Sequence, residues 1–250
     1  MTRFFVRPDQ IRDDTVVLDA DDAHHLRTVL HAQPGHKISI LDGSGREWQG
    51  ALTELGKVRA EARLGEPKMP QTEPPVAVTV AQALPKMADK MEQVLQRGTE
   101  IGASAFWAFG SERSLEHLTG ERQAKRLVRW NAIVKTAAEQ SHRAILPALR
   151  VDGGLADVLA AAGNSGLALL AHEGEQATTL RQALEAAPRP AGTLLVIVGP
   201  EGGFSDGEIK AARRAGVQTV SLGPRVLRTE TAALVLVSQI LYAWEQAPCL

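Results

Sequence analysis

The alternation of hydrophobic and polar positions is most informative near the C-terminal end of the chain. Five consecutive apolar residues, Leu194–Val198, run into the turn sequence Gly-Pro-Glu-Gly-Gly at 199–203. A β-branched apolar run of this length, bounded by Gly and Pro, predicts a buried parallel strand. Ser205 followed three residues later by Glu208 is a capping box, which predicts a helix to about Ala215. A strand, a Gly-rich turn and a helix N-terminus bring backbone N–H groups close to any ligand bound there.

A second strand and loop follow directly. Residues 217–222 predict a short strand that ends at Gly223-Pro224, and residues 225–231 place two arginines and a glutamate in the next loop. An apolar helix is predicted from about Thr231 to Trp244. Because parallel strands of an α/β sheet end at one edge, we expect both loops at that carboxyl edge, where such folds bind ligands.

The first 70 residues or so have a different pattern. Short apolar or alternating runs are separated by the turn sequences Pro34-Gly35 and Asp-Gly-Ser-Gly at 42–45. These runs lie at 16–18, 37–41, 47–52 and 58–62. Short runs between turn signals predict a small β-barrel, here with one short helix at 21–30.

Prolines separate this part from the rest of the chain. Residues 65–75 contain four prolines and no periodic pattern, which predicts a linker and a domain boundary near residue 73. After it, strands are predicted at 76–81, 105–109 and 167–171, and helices at 86–102, 121–140 and 156–162. The fold class expected is therefore a β-barrel domain over 1–72 followed by an α/β domain over 73–250.

Composition narrows the class of protein. With 250 residues, 44% hydrophobic and 23% charged, the chain is expected to form one large or two modest globular domains. Its one cysteine, Cys249, excludes an intramolecular disulfide and suits a reducing cytosol. The N-terminal residues lack the apolar region of a signal peptide, and no run approaches the ~18 apolar residues of a spanning helix. We therefore expect a cytoplasmic protein without a membrane partner.

The formal net charge of −1 argues at first sight against a nucleic-acid partner. The basic residues are segregated, however, since residues 111–150 carry eight Lys and Arg against four Asp and Glu. Such a run is most often a solvated helix face, and the alternative is an RNA-binding surface. The residues by themselves leave both interpretations open.

Two motifs resemble those of a known family. Residues 199–204 (Gly-Pro-Glu-Gly-Gly-Phe) with Ser205 and Glu208, and residues 226–232 (Val-Leu-Arg-Thr-Glu-Thr-Ala) after Leu222-Gly223, resemble the RsmE family of bacterial 16S ribosomal RNA uracil-N3 methyltransferases. The resemblance implies an N-terminal PUA-like β-barrel and a C-terminal SPOUT α/β domain with a trefoil knot. A phosphate-binding turn in an ordinary Rossmann-like domain is the alternative.

The resemblance implies that the loops after the last strands bind S-adenosylmethionine. Glycines at these positions let the backbone approach the cofactor closely. No group of His, Cys and Asp has the spacing of metal ligands, so no metal is expected. The candidate cofactor-binding residues are Ala171, His172, Gly199, Pro200, Gly202, Gly203, Leu222, Gly223, Arg225, Val226, Leu227 and Ala232.

Methylation of uracil N3 requires the proton on that nitrogen to leave. Because N3 lies on the Watson–Crick edge, the base has to be unpaired or flipped out. We expect the Arg228 guanidinium to hold the uracil carbonyls or a phosphate and to favour the N3 anion. Glu201 is expected either to accept the proton or only to fix its loop. Glu230 is an alternative base, or the partner that orients Arg228.

Candidate RNA contacts come from the basic run and from two further resemblances, Glu-Arg-Ser at 112–114 and Glu-Gln-Ser-His-Arg at 139–143. In residues 1–72, His31 and His36 replace residue types that the family often has. The candidates are Arg3, Arg7, Arg27, Arg113, Arg122, Arg126, Arg129, Gln140 and Arg143, with His24 and His25 beside Arg27.

The partners implied by the resemblance are 16S ribosomal RNA in the small ribosomal subunit and a second copy of the chain. The predicted helix at 231–244 is apolar nearly all round, so we expect it to be buried, and a homodimer contact would bury it. Two rival functions stay open: a non-catalytic RNA-binding or assembly factor, and a knotted methyltransferase that modifies a ribose or a guanine.

Overall fold

The computed structural model describes residues 2–114, 118–187 and 192–244. The chain divides into two compact units, Met1–Glu73 with Ala138–Leu146, and Pro74–Ala137 with Pro147–Leu250. The division after Glu73 lies beside the boundary expected from the prolines, whereas the grouping of Ala138–Leu146 with the first unit was not predicted. Cys249 lies outside the described residues.

The first unit contains a six-stranded sheet in the order β1-β4-β5-β6-β3-β2. Neighbouring strands are antiparallel except β1 and β4, which are parallel. A short helix, α1 (Ala20–His24), continues as one π-helical turn, His25–Val29. The strands are β1 (Thr2–Phe5), β2 (Ile11–Arg12), β3 (Thr15–Leu18), β4 (Lys37–Leu41), β5 (Glu47–Leu55) and β6 (Ala60–Lys68).

The core of this unit follows the alternation read from the sequence. In β3, Val16 and Leu18 are fully buried while Val17 points outward with 39% of its surface exposed. Ile38 and Ile40 of β4 are likewise buried in the same apolar cluster. Side chains that alternate across a strand therefore place one face of the sheet on the core.

One boundary of the sequence analysis is wrong. The linker was expected to begin at Gly65, but β6 continues to Lys68 and pairs Pro67 with Trp48 of β5. Strand β3 covers β6 only from Ala60 to Arg63, so β6 has a single neighbour at Pro67. A proline is tolerated there because its missing N–H is not needed on the open side.

The second unit is a six-stranded, wholly parallel sheet in the order β12-β10-β11-β7-β8-β9. The strands are β7 (Val78–Ala83), β8 (Ala105–Gly110), β9 (Ala148–Gly154), β10 (Leu167–Ala171), β11 (Leu194–Val198) and β12 (Gln218–Val220). The helices are α2 (Ala88–Ile101), α3 (Gly120–Gln140), α4 (Leu155–Ala162), α5 (Leu180–Ala186), α6 (Asp206–Arg214) and α7 (Thr229–Trp244).

Strand β11 is the element that positions the site. All five of its residues are buried, which confirms the buried parallel strand predicted from its apolar run. It lies between β7 and β10, and β12 follows β10 in the sheet. Because these strands are parallel, the loops that follow β10, β11 and β12 emerge at one edge of the sheet.

The structure contains elements that the sequence analysis did not predict, namely β1, β2, β9 and α5. Helix α7 is not buried all round, because Ser238 and Gln239 are exposed and Tyr242 has 89% of its surface exposed. The trefoil knot stays a prediction, because strand order does not determine which loop passes through which.

Candidate active site

The loops that follow β10, β11 and β12 surround one pocket of about 650 Å³. The first contributes Ala171–Glu173, the second most of residues 199–204, and the third most of residues 221–228. Met87, just before α2, and Lys90 of α2 form another part of the wall. The expectation that both Gly-rich loops meet at the carboxyl edge is confirmed.

Local interactions explain the shape of the loop after β11. Gly203 has a φ of +65°, a left-handed conformation that disfavours other residues, and its N–H donates to the Pro200 carbonyl oxygen at 2.9 Å. A Cβ on Gly199 would lie 3.1 Å from the Phe204 ring, so the buried ring packs directly on this glycine. The loop is therefore held both by its turn and by the ring beneath it.

The predicted capping box is confirmed and extends to a second loop. The Glu208 carboxylate accepts from the Ser205 N–H at 2.8 Å, and Ser205 Oγ accepts from the Glu208 N–H at 3.1 Å. The other carboxylate oxygen of Glu208 accepts from the Glu112 N–H at 2.9 Å. One carboxylate thus fixes the start of α6 and the loop after β8.

The structure places eleven of the twelve candidate cofactor residues on the wall of this pocket. The exception is Gly202, whose carbonyl oxygen accepts from Arg113 at 2.7 Å. A Cβ on Gly202 would meet the Arg113 side chain at 3.6 Å, an ordinary contact. Gly202 therefore faces Arg113, and Arg113, a candidate RNA residue, lies against the loop after β11.

Glu201 is engaged in an ion pair. Its carboxylate accepts from Lys90 Nζ at 2.8 Å and from the Lys86 N–H at 3.0 Å. Partial burial works against the charged form, but these hydrogen bonds outweigh it and hold the pKa of Glu201 below its ordinary value. A carboxylate with a lowered pKa is a weak proton acceptor, so this geometry favours the loop-fixing role over the general-base role.

Arg228 and Glu230 occupy different surroundings. Arg228 is exposed and lines the pocket, and within the described parts of the chain its guanidinium makes no hydrogen bond or ion pair. Glu230 is 7% exposed, is not part of the pocket wall, and has one carboxylate oxygen without a hydrogen-bond partner among the described residues. Arg228 is therefore the more accessible of the two to a substrate.

The sequence analysis missed several residues of the wall, among them Met87, Lys90, Glu173 and Thr229. Lys90 lies more than one hundred positions from Glu201, and no local pattern pairs the two. Thr229 was quoted as part of the second motif, and that motif was the available signal for it.

The candidate RNA residues of α3 lie together. Leu118 and four basic residues line a groove of about 450 Å³, and those residues are Arg122, Lys125, Arg126 and Arg129. Part of this charge is compensated, because Arg129 pairs with Glu92 at 2.7 Å and Lys125 with Glu121 at 2.7 Å. The described lining of the groove contains four basic side chains and no acidic one.

Two other candidate RNA residues have structural roles in the first unit. Arg143 is 3% exposed and pairs with Glu73, Nη2 to Oε2, at 2.5 Å. Arg3 has 10% of its side chain exposed and pairs with Glu47 at 2.9 Å. The guanidinium groups of these two arginines are buried against protein partners, and their contact with RNA stays a prediction. Arg7, Arg27 and Gln140 are exposed.

The Arg143 pair also affects its partner. Burial works against the charged form of Glu73, but hydrogen bonds from the Arg143 guanidinium and the Ile145 N–H outweigh it and hold the pKa of Glu73 below its ordinary value. The Ala144 N–H also donates to this carboxylate, at 2.8 Å. Glu73 thus fastens residues 143–145 to the first unit.

The described residues contain neither a candidate metal site nor a candidate membrane-spanning helix. In residues 2–114, 118–187 and 192–244, no group of three or more His, Cys, Asp or Glu is arranged to hold a metal ion. Within the same ranges, every helix is too short or too polar to cross a bilayer.

Comparison with known proteins assigns both parts of the chain. Residues 72–241 match the family model of the RNA methyltransferase domain, and residues 18–65 match that of the RNA methyltransferase PUA domain. Ribosomal RNA small subunit methyltransferase E of Mycobacterium bovis is 39% identical over 90% of this chain and 85% of its own length. The protein of that name from Bacillus subtilis is 32% identical over 98% of both chains.

Solved structures agree with these relatives. Ribosomal RNA small subunit methyltransferase E of Neisseria gonorrhoeae, crystallised with S-adenosylmethionine, is 33% identical, covers 98% of both chains and superposes with a TM-score of 0.87. A methyltransferase of Legionella pneumophila, also with that cofactor bound, is 29% identical over 97% of both chains, with a TM-score of 0.88. The resemblance noted in the sequence is thereby confirmed: the chain belongs to the family of RNA methyltransferases named ribosomal RNA small subunit methyltransferase E.

Proposed function

We propose that this protein transfers a methyl group from S-adenosylmethionine to N3 of a uridine in 16S ribosomal RNA. The observation that carries the proposal is the pocket in which three strand-end loops and the first turn of α7 gather eleven of the twelve candidate cofactor residues. Its support from relatives is the bound S-adenosylmethionine in two solved structures and the ribosomal RNA named in the curated relatives.

The lining of the pocket fits this cofactor. A volume of about 650 Å³ lies within the range of pockets that enclose a molecule of this size. Backbone groups of Gly199 and Gly203 can meet polar edges of the adenosine, and the side chains of Leu222 and Leu227 can cover its apolar faces. When bound, S-adenosylmethionine supplies an electrophilic methyl group on a sulfonium.

Arg228 is the residue that we assign to the acceptor base. Its guanidinium is exposed at the pocket and is not occupied by a carboxylate among the described residues. A planar cation there can donate to the uracil carbonyls and favour the anion left when the N3 proton departs. This charge effect does not require the arginine to take the proton itself.

Glu201 has a different role in this proposal. The Lys90 ammonium and the Lys86 N–H hold its carboxylate, so Glu201 ties the loop after β11 to the start of α2. The loop is then shaped before the cofactor arrives, and less binding energy is lost in ordering it. The buried Glu230 remains a candidate as an alternative base or as the partner that orients Arg228.

RNA binding is assigned to both units. The groove formed by Arg122, Lys125, Arg126 and Arg129 offers adjacent cations to phosphates. In residues 1–72, Arg7 and Arg27 are the exposed candidate contacts, and we propose that this part holds the RNA while residues 73–250 carry out the chemistry. The base has to leave its stack before N3 is reached.

We also propose a homodimer and a cytoplasmic location. Tyr242 is a large side chain with 89% of its surface exposed on α7, the helix that begins at the pocket. The partly buried Leu234 and Val235 lie on the same helix, and these apolar side chains together with Tyr242 favour a protein contact. Sedimentation of the wild-type protein and of Tyr242→Glu tests this proposal. The wild type is expected to sediment as a dimer, and the variant as a monomer or with a smaller fraction of dimer. The cytoplasm is the compartment of the proposed ribosomal substrate.

The function is tested on small ribosomal subunits from cells that lack the activity. Purified protein with S-adenosylmethionine is expected to add one methyl group, located by mass spectrometry at N3 of a uridine. Arg228→Lys keeps the charge but loses the planar fork, so single-turnover methylation should fall strongly with little change in cofactor affinity. Full turnover by Arg228→Lys would remove that residue from the mechanism.

The same experiment separates the rival functions. A protein that binds S-adenosylmethionine and subunits but transfers no methyl group is a binding or assembly factor. A methyl group found on a ribose or a guanine identifies a methyltransferase of different specificity. Either result would overturn the proposed reaction.

A further inference from the structure

A buried glutamine behind the pocket connects three elements on which the pocket depends. Gln82 of β7 is 0% exposed. Its Nε2 lies 2.8 Å from Thr229 Oγ1, 3.2 Å from the Gly199 carbonyl oxygen and 2.9 Å from that of Ala83. Thr229 Oγ1 in turn donates to the Gly199 carbonyl. The cluster joins the end of β7, the first residue after β11 and the first residue of α7.

The two residues joined by Gln82 belong to the pocket, although Gln82 itself does not line it. Gly199 is the first residue of the loop that follows β11. Thr229 directly follows Arg228, whose carbonyl oxygen accepts from the Ala232 N–H in the first turn of α7. The separation between Gly199 and Thr229 therefore sets how the loop after β11 stands relative to Arg228.

We propose that Gln82 is a positioning residue for the methyl transfer, holding the Gly199 carbonyl and the start of α7 together so that the pocket is formed before ligands bind. The inference rests on the proposed function, because it concerns the same pocket. It adds a residue to which the motifs and the pocket wall assign no role.

The oxygen of the Gln82 amide, unpaired within the described residues, indicates that this side chain is not optimal for the stability of the fold. Its Oε1 is buried and has no partner among the described residues. A buried acceptor without a donor destabilises a fold, and an apolar side chain of similar length would remove that cost. Gln82→Met is therefore expected to fold with a melting temperature close to that of the wild type while losing the connection to Gly199.

The experiment measures cofactor binding and turnover of the full chain with small ribosomal subunits as substrate. If Gln82→Met leaves the pocket competent about one tenth of the time, S-adenosylmethionine should bind about tenfold more weakly. The KM for S-adenosylmethionine should rise by a similar factor, with a change in kcat at saturation below about threefold, because the reacting groups are untouched. A merely structural role would lower the melting temperature without this split.

Two further variants make the test specific. Thr229→Val removes the hydroxyl that Gln82 contacts. The double variant with Gln82→Met should lose less cofactor affinity than the product of the two single losses, because both changes break the same hydrogen-bonded cluster. Thr229→Ser keeps the hydroxyl and should bind the cofactor within about twofold of the wild type. The control is Thr99→Val, which removes a fully buried hydroxyl within α2 and should leave cofactor affinity unchanged.

The possible outcomes separate this inference from the function on which it rests. A wild-type protein that binds no S-adenosylmethionine overturns both. A wild type that binds and methylates, with Gln82→Met within about twofold of it, overturns the role of Gln82 alone. If Gln82→Met fails to fold, Thr229→Val carries the test, because it removes the hydroxyl that the Gln82 amide contacts, and wild-type affinity in that variant would equally overturn the proposal.

Discussion

Breaking the ion pair between Lys90 and Glu201 is expected to weaken S-adenosylmethionine binding about tenfold. Lys90 Nζ lies 2.8 Å from Glu201 Oε1, and the two side chains are 21% and 32% exposed. Fully exposed pairs contribute about 0.2–1 kcal/mol, and hydrogen bonds to charged groups about 1.5–3 kcal/mol. This partly buried pair lies between those cases, at about 1–1.5 kcal/mol, which corresponds to about tenfold in affinity.

The assay is titration calorimetry of S-adenosylmethionine into Lys90→Met. Lys90→Arg keeps a cation within reach of Glu201 and should retain most of the affinity. Arg63→Met is the matched control, because it breaks an ion pair of the same 2.8 Å length, with Asp14, in the first unit. That variant is expected to bind the cofactor as the wild type does.

The effect of Lys90→Met on S-adenosylmethionine affinity should depend on pH, because the pKa of Glu201 is lowered. A carboxylate whose pKa is depressed on folding contributes fully above its ordinary value of 4.5, and its contribution fades as the pH falls through the folded value. The difference between wild type and Lys90→Met should therefore be constant near neutral pH and shrink in acid. A Lys90→Met affinity within about twofold of the wild type at pH 7 would refute the loop-fixing role of the pair.

Three further predictions concern stability, the Gly-rich loop and RNA. Hydrogen bonds from Thr219 and the Ala177 N–H lower the pKa of Glu175 to about 2. Glu175→Gln should therefore lower the free energy of unfolding in urea by about 1–2 kcal/mol at pH 7, after allowance for solvent near half-exposed Arg213. This loss of stability should vanish towards pH 2, and a loss that does not change with pH would contradict the prediction. Gly203→Ala should weaken cofactor binding more than Gly202→Ala, because residue 203 has a strained φ of +65° for alanine while a Cβ at 202 has room beside Arg113. Equal affinities of the two variants by calorimetry would argue against this loop geometry. Replacing Arg122, Arg126 and Arg129 together by Gln should reduce the slope of log K for RNA binding against log salt concentration by up to about three. An unchanged slope would mean that these arginines form an ordinary solvated helix face.

Much of the second unit could be predicted because its signals are local. The apolar run of β11 and the box formed by Ser205 and Glu208 specify a strand and a helix start from neighbouring residues. Strands that are parallel share an edge, so the meeting of the two Gly-rich loops also followed from the order of elements. The first unit was harder, since β1 pairs with a distant strand and has little pattern of its own.

Charged side chains were assigned less well than loops. Arg143 and Arg113 both belong to recognisable motifs, yet Arg143 is buried against Glu73 while Arg113 donates to the Gly202 carbonyl. The function of an arginine depends on whether a carboxylate lies within reach, and that partner is usually distant in sequence. The motif therefore located each residue without deciding what it touches.

The sequence by itself determined the family, the buried strand β11 and the meeting of the two Gly-rich loops at one edge of the sheet, because those depend on local patterns and fixed motifs. Only the tertiary structure decided that Glu201 is paired with Lys90 and that Gln82 joins Gly199 to Thr229. These partners are separated by more than one hundred positions. A hydrogen bond requires atoms within about 3 Å, and only the folded chain brings such residues that close.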